Sequence, residues 1–218
     1  MPKRKVKRRT RAPAVTREAL LGAAFEEIYH HGFQAASLDA IVARTGVTKG
    51  ALYHHFPNKD ALGFAVVEEV VQGFLLRRWL GALDRYPDDP ITAMQQGLRE
   101  RADTATAEEL RFGCPLNNLA QEMSPLDEAF RRRVNAAFDS WRDGFRRALE
   151  RGQAAGAVRR DVDAGQIAAF VVAAAEGSWG LAKSAKSLPV LRGNLDVLCA
   201  FLDTLRPGPT PNRPAGSP

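Results

Sequence analysis

Residues 46–58 read GVTKGALYHHFPN, and this stretch specifies the fold of the N-terminal part of the chain. Gly46 is expected to end one helix. Thr48 is expected to cap the next, because its hydroxyl can accept a backbone N–H of the first turn. Pro57 keeps that helix short, since it biases Phe56 away from helical angles. The side chains predicted to point outward can all donate hydrogen bonds: Thr48, Lys49, Tyr53 and His54.

A second short helix is predicted upstream, over residues 37–45. Ser37 is placed to cap it, and its apolar residues recur at the spacing of one buried face: Leu38, Ile41 and Val42. Two short helices joined by a tight glycine turn form a helix-turn-helix, whose second helix fits the major groove of DNA. The pattern therefore predicts a DNA-binding motif.

The sequence SLDAIVARTGVTKGALYHHFPNKDAL, residues 37–62, resembles the signature of the TetR family of bacterial transcriptional repressors, and the likeness extends over residues 16–64. It implies an all-α fold, with an N-terminal three-helix helix-turn-helix domain and a C-terminal helical ligand-binding and dimerisation domain. It also implies binding rather than catalysis, by a homodimer whose partners are a double-stranded DNA operator and a small-molecule effector. The positions that match the signature imply these DNA contacts: Ser37, Arg44, Thr48, Lys49, Gly50, Tyr53, His54 and Lys59.

Two of these positions have a second explanation, and the helix dipole bears on a third. Gly50 either lets helices pack closely or lets the backbone approach DNA. Tyr53 is either a core aromatic residue with a hydrated hydroxyl or, as the resemblance implies, a phosphate ligand. Lys59 stands at a helix start, where a cation is unfavourable to the helix dipole, so we expect a DNA phosphate to lie against it.

Positive charge is concentrated in residues 1–11. Lysine and arginine occupy seven positions there, and no acidic residue is present. The resulting charge of +7 exceeds the net charge of +6 of the whole chain. We predict a disordered basic arm over residues 1–15 that meets DNA phosphates or enters a neighbouring minor groove. A solvated tail is the alternative.

The sequence argues against several other classes of protein. No apolar run reaches the ~18 residues of a membrane span, and no apolar stretch follows the N-terminal charges as in a secretory signal. Two cysteines, Cys114 and Cys199, are too few for a disulfide framework, so we expect the reducing cytoplasm. The histidines form adjacent pairs, which point about 100° apart on a helix, so no metal site and no cofactor is predicted. No phosphate-binding glycine loop, G-x-S-x-G or H-E-x-x-H motif indicates an enzyme.

Apolar spacing predicts helices from residue 16 onward and no strand. Thr16 is expected to cap the first helix, and Asn58 to cap one long helix from Lys59 to about Leu83. A Pro/Gly-rich end without apolar residues predicts a disordered tail. The predicted domains are the arm over 1–15, the helix-turn-helix domain over 16–60, the helical effector and dimerisation domain over 61–206, and the tail over 207–218.

Residues 113–124, GCPLNNLAQEMS, resemble a segment in one branch of the TetR family, whose members regulate multidrug-efflux and redox-enzyme genes. Cys114 stands near a helix N-terminus, where a thiol pKa can be lowered, so a redox sensor is one hypothesis. The alternative is a small buried apolar residue.

A mostly apolar pocket with a few polar groups is predicted in the C-terminal domain. The alternative is that the aromatic side chains spaced along one face of the predicted helices simply fill the hydrophobic core. Glu176 lies in an apolar run, so it must contact an effector group or a residue of the partner subunit, or point at water. Asn118 is an alternative to Asn117 in the predicted effector-binding set, which is Phe112, Cys114, Asn117, Met123, Phe138, Trp141, Phe145, Glu176 and Trp179.

The last two helices are rich in small residues, which allow close helix approach. We predict that they form the dimer interface, with Val172 and Ala173 in it, and a purely internal core is the alternative. The sequence thus predicts a dimeric repressor that a small hydrophobic or aromatic ligand releases from a palindromic operator. The alternatives are a redox-sensing regulator acting through Cys114, an activator of the same fold, and a non-specific DNA-compacting protein.

Overall fold

The computed structural model describes residues 13–208, except for the side chains of Pro13 and Val15. Within that range the regular elements are helices, without a strand. Most of the predicted basic arm and of the predicted tail lies outside the described residues. None of the helices between residues 13 and 208 combines the length and apolar character that a membrane crossing requires. The chain forms two compact units that divide between Val71 and Gln72, so the expected boundary after residue 60 lies inside the first unit.

The described part of the first unit holds four α-helices and a π-helical segment: α1 Pro13–His31, α2 Leu38–Thr45, α3 Lys49–His55, α4 Lys59–Ala65 and the π-helical segment Val66–Val71. Its core is built from buried side chains of these elements: Leu20, Ile28, Ile41, Leu52, Leu62 and Val66. The predicted cap at Thr16 was wrong, because α1 begins at Pro13 and Thr16 is buried within the helix. Proline suits the first helical turn, where its missing N–H removes no helical hydrogen bond.

The predicted helix ends of the helix-turn-helix are confirmed. The side chains of Ser37, Thr48 and Asn58 each accept the backbone N–H three residues further on, at 3.3, 3.2 and 2.7 Å. Gly46 ends α2 in the left-handed conformation with φ of 67°, which glycine adopts without a steric cost. Phe56 is extended, as expected for a residue before proline. Local contacts therefore fix where α2 and α3 begin and end.

The described part of the second unit holds seven α-helices: α5 Gln72–Arg85, α6 Pro90–Asp103, α7 Ala107–Phe112, α8 Pro115–Met123, α9 Glu128–Ala155, α10 Ala164–Ala185 and α11 Leu188–Asp203. Helix α10 packs against α9 and α11, and α6 packs against α5 and α11. Two glycines of α9 allow close approach of neighbouring helices. A Cβ at Gly144 would overlap the Leu80 side chain, and one at Gly152 would lie 2.6 Å from the ring of Pro90.

Two features of these units were not predicted. Helix α7 begins with a capping box, in which Thr106 and Glu109 satisfy each other's backbone N–H groups. This signal was present in the sequence as T-A-E-E. The predicted single helix after Asn58 contains the π-helical segment, and it ends at Arg85. Valines occupy four of the six positions of that segment, so the spacing of apolar residues does not distinguish a π-helix from an α-helix there.

Candidate DNA-binding surface and effector site

Helix α3 presents a polar face to solvent. Leu52 anchors the helix in the core, whereas the side predicted to face outward is exposed: Thr48, Lys49, Gly50, Tyr53 and His54. Half of the surface of Tyr53 is exposed, at 50%, so the explanation of Tyr53 as a core aromatic residue was wrong. A Cβ at Gly50 would meet only the Thr48 hydroxyl at 3.9 Å, so helix packing does not require glycine there.

Lys49 is held by an acid of the preceding helix. Its Nζ lies 2.6 Å from Oδ1 of Asp39 on α2. The hydrogen bond to Asp39, and then the charge of Asp39, raise the pKa of Lys49, so the lysine is a cation at neutral pH. Both side chains are exposed, and an exposed pair is weak enough for a phosphate to compete with the carboxylate.

Ser37 and Arg44 share a buried acid of α1 that sequence reasoning missed. The backbone N–H of Ser37 donates to Oε1 of Glu27 at 3.2 Å, and Nη2 of Arg44 lies 3.9 Å from Oε2 of the same residue. Glu27 is buried. Its position could have been inferred, because it follows Leu20 and Ala24 at the spacing of the buried face. Glu27 thus links α1 to the N-terminus of α2 and to one predicted DNA contact.

Lys59 has partners within the first unit. Its Nζ donates to the Gln34 carbonyl at 2.9 Å and lies 5.1 Å from the centre of the Phe33 ring. These contacts give the lysine at this helix start a second explanation, beside the DNA phosphate that the sequence favoured. A phosphate contact by Lys59 stays a prediction.

In the second unit, the predicted aromatic stripe on α9 belongs to the packed core. Trp141 is fully buried, and it stacks on Trp79 with ring centres 4.8 Å apart. Phe145 meets Trp141 edge to face at 6.2 Å. Trp79 on α5 was not predicted at this position. Other predicted effector-binding residues are either buried, as Met123 and Trp179, or partly exposed, as Phe112, Asn117 and Phe138.

Cys114 and Glu176 are brought together from α8 and α10. Glu176 is only 6% exposed, so the explanation that it points at water was wrong. Burial raises the pKa of Glu176 to about 7, against a smaller lowering by the nearby Cys114 thiol. The thiol pKa is raised well above its usual value by burial and then by the charge of Glu176, and the N–H groups of Asn117 and Leu116 offset this only in part.

A buried arginine of α6 lies over the ring of Trp179, which follows Glu176 by about one helical turn on α10. The guanidinium of Arg101, on α6, stands 4.8 Å from the centre of the Trp179 ring and 3.5 Å from Oε1 of Glu109. Sequence reasoning missed Arg101, because nothing in the local pattern of α6 shows that an aromatic ring of α10 will cover it. Asn118 has a structural role, since its side chain donates to the Phe112 carbonyl at 2.7 Å and accepts from Lys183 at 3.2 Å.

The last two helices expose one apolar face. On α10, Phe170 is 51% exposed and Leu181 is 61% exposed, and on α11 Val197 is 71% exposed. Ala173 lies on this face, but Val172 is buried against the core of its own unit. The expectation that Val172 joins Ala173 in the interface was therefore wrong, because consecutive residues of a helix point about 100° apart and Val172 packs inside its own unit.

Comparison with known proteins covers both units. Residues 20–66 match the family model of bacterial regulatory proteins of the tetR family, and residues 90–194 match that of the LmrA/YxaF-like transcriptional regulator C-terminal domain. The HTH-type transcriptional repressor DhaR of Mycobacterium sp. strain GP1 is 26% identical over 162 residues, which cover 74% of this chain and 79% of DhaR.

Solved structures show the same architecture. A TetR transcriptional regulator from Chloroflexus aurantiacus J-10-FL has a TM-score of 0.78 and 26% identity, over 89% of this chain and 97% of its own. The TetR family regulator CifR, solved as a cysteine mutant with a 26-bp double-strand operator DNA, has a TM-score of 0.73 and 22% identity, over 89% of this chain and 98% of its own. The capped helix-turn-helix, the helical second unit and the matches to both lead to one conclusion: this chain belongs to the TetR family of transcriptional regulators, which bind DNA and are not enzymes.

Proposed function

We propose that this TetR-family regulator is a homodimeric repressor that binds a palindromic operator and is released from it by a small hydrophobic or aromatic effector. The observation that carries the DNA-binding part is the exposed donor-rich face of α3, on a helix whose two ends are fixed by local caps. The relative DhaR is a transcriptional repressor by name, which supports repression rather than activation. The structure of CifR with operator DNA supports double-stranded DNA as the partner.

The residues assigned to DNA differ in how directly they can act. Lys49, Tyr53 and the backbone at Gly50 stand on the open face of α3, where donors can reach phosphates and base edges. Thr48 and Ser37 already cap their helices, so their contacts would come from the remaining hydroxyl proton. His54 is exposed beside them, while Arg44 and Lys59 would have to share or leave their partners in the first unit.

The homodimer is assigned to the apolar face of α10 and α11. Phe170, Ala173 and Leu181 recur along α10 at helical spacing, and Val197 and Ala200 continue the face on α11. A patch of large apolar side chains with this much exposed surface often marks an interface between subunits. Burying them in a four-helix contact across a two-fold axis would give a dimer with the symmetry that a palindrome requires.

The effector is assigned to the second unit, where α9 packs against α8 and α10 and where aromatic side chains and Glu176 are buried. An effector acts by binding more tightly to a conformation with low operator affinity. The redox alternative through Cys114 loses support, because the raised thiol pKa disfavours the reactive thiolate. An activator would use the same surfaces. Measuring transcription with and without the protein would distinguish repression from activation.

Operator binding by variants tests this function. We expect Lys49→Ala and Tyr53→Phe to weaken binding to a palindrome from the DNA beside the gene, because each removes a donor to the backbone. The slope of log affinity against log salt should fall by about 0.9 for each phosphate that a lysine no longer neutralises. Lys186→Ala, an exposed lysine after α10, is the control and should bind as wild type does. Unchanged affinity of both α3 variants would refute the assignment, as would a preference for the palindrome over random DNA well below ~10³-fold.

A further inference from the structure

A buried carboxyl group whose one hydrogen-bonding neighbour among the described residues is a thiol lies inside the second unit. Glu176 projects from α10, is 6% exposed, and neither of its oxygen atoms accepts a hydrogen bond of normal geometry from the described residues. Buried polar groups in native proteins nearly always have a partner, since burying one without a partner costs free energy. Glu176 therefore needs an explanation that the rest of the described fold does not supply.

The neighbours of Glu176 do not compensate for its burial. A hydrogen bond from the Cys114 thiol lowers the pKa of the carboxyl, but a thiol is a weak donor and the opposite effect of burial is larger. Arg101 of α6 is buried, and its guanidinium contacts the Trp179 ring and Glu109, although its Nε has no hydrogen-bonding partner among the described residues. It is not among the groups that shift the pKa of Glu176.

A second unpartnered polar atom lies on a helix that packs against α10. The indole N–H of Trp141 is buried and donates no hydrogen bond to the described residues. Its ring stacks on that of Trp79. Helix α9, which carries Trp141, packs against both α8 and α10. The buried groups left open in the described second unit thus include one acid and one indole N–H, and Arg101 also leaves its Nε unpaired.

We propose that Glu176 binds a cationic nitrogen of the effector, so that the effector is a flat aromatic amidine or amine rather than a neutral or acidic aromatic compound. Two open carboxylate oxygens fit a group with two N–H donors, and such charge-assisted pairs are the strong class of hydrogen bond. A positive charge beside the carboxyl would favour its ionised form, whereas an anionic ligand would be repelled. This proposal rests on the proposed effector-controlled function and narrows it.

Three probes of one shape test the proposal on the full chain. Naphthalene-2-carboxamidine is a cation, 2-naphthamide is neutral and 2-naphthoate is an anion. Tryptophan fluorescence, with Trp179 on the same helix as Glu176, measures their affinities at neutral pH. We expect the amidine to bind at least tenfold more tightly than the amide, as for a buried hydrogen-bonded charge pair, and 2-naphthoate to bind most weakly.

The substitution Glu176→Gln keeps the shape of the side chain and removes its charge. It should abolish the preference for the amidine and leave the affinity for the amide within about twofold of wild type, because only the charged pair is removed. Glu150→Gln, an exposed acid on α9 paired with Arg146, is the matched control and should keep the preference.

Each other outcome counts against the proposal. Tighter binding of the amide or of 2-naphthoate by the wild type would refute it, as would an amidine preference that survives in Glu176→Gln. If none of the three probes changes the fluorescence at millimolar concentration while operator binding stays intact, the cationic-effector proposal fails and the DNA-binding function stands. Failure of the wild type to bind its operator would instead refute the proposed function.

Discussion

The substitution Glu176→Gln should also change how stability depends on pH. In the folded protein the pKa of Glu176 is about 7, against 4.5 for an unperturbed glutamate, and the unfolded chain is expected to return to the unperturbed value. Between these two values the folded state holds a proton that the unfolded state has lost. The carboxyl therefore contributes most to stability below pH 4.5, and this contribution is lost as the pH rises through 7.

The size of this effect follows from the two pKa values. Each pKa unit of difference corresponds to about 1.4 kcal/mol. Titration of Glu176 therefore lowers the free energy of unfolding of the wild type by about 3 kcal/mol as the pH rises from below the unfolded pKa to above the folded pKa. Glutamine does not titrate. The stability of Glu176→Gln relative to wild type should therefore increase by about 3 kcal/mol between about pH 4 and about pH 8.

Urea denaturation at a series of pH values, at one fixed protein concentration, measures this difference. Other groups that titrate identically in both proteins cancel in the comparison, and the raised pKa of the Cys114 thiol keeps it protonated over the whole range. Glu150→Gln serves as the control for loss of an exposed carboxyl on α9. A difference that stays constant with pH, or that shrinks as the pH rises, would refute the argument that Glu176 is buried without a cation.

Three further outcomes are expected. Gly152→Ala should destabilise the protein by about 1–3 kcal/mol in thermal or urea unfolding, because its Cβ has no room, whereas Gly81→Ala, where nothing lies within 4 Å, should be neutral or stabilising; equal effects would contradict the packing described. Cys114 should react with a thiol reagent far more slowly at pH 7.5 than at pH 9.5, since its raised pKa leaves little thiolate, and rapid reaction at neutral pH would revive the redox hypothesis. Ala173→Arg should give a folded monomer in sedimentation, whereas Val172→Arg should lower helix content, and a dimeric Ala173→Arg protein would place the interface elsewhere.

Most of the DNA-binding unit could be predicted because its signals are local. Ser37, Thr48 and Asn58 cap helices through backbone groups three residues away, and Gly46 turns the chain through its own φ angle. These contacts span so few residues that the sequence around them already contains both partners. The start of α1 at Pro13 was the exception, where a proline and a threonine offered competing signals and the more N-terminal one prevailed.

The second unit was predicted less well, since its functional features depend on which helices meet. The capping box of α7 was visible in the sequence, but the meeting of Arg101 with Trp179 and of Trp79 with Trp141 joins helices far apart in the chain. No local pattern encodes such a pair. The same holds for Glu27 in the first unit, whose position on the buried face was readable but whose partners Ser37 and Arg44 were not.

Helical periodicity, caps and the glycine turn act over single turns, so the amino-acid sequence was enough to establish an all-helical TetR-family protein with a capped helix-turn-helix and an exposed, donor-rich α3. The packed structure was needed to show that Val172 faces inward while Ala173 faces outward, that Lys59 is held by the Gln34 carbonyl, and that Glu176 is buried beside Cys114. Burial and the electrostatics that follow from it are properties of the contacts between helices, and those contacts exist only once α8, α9, α10 and α11 have packed together.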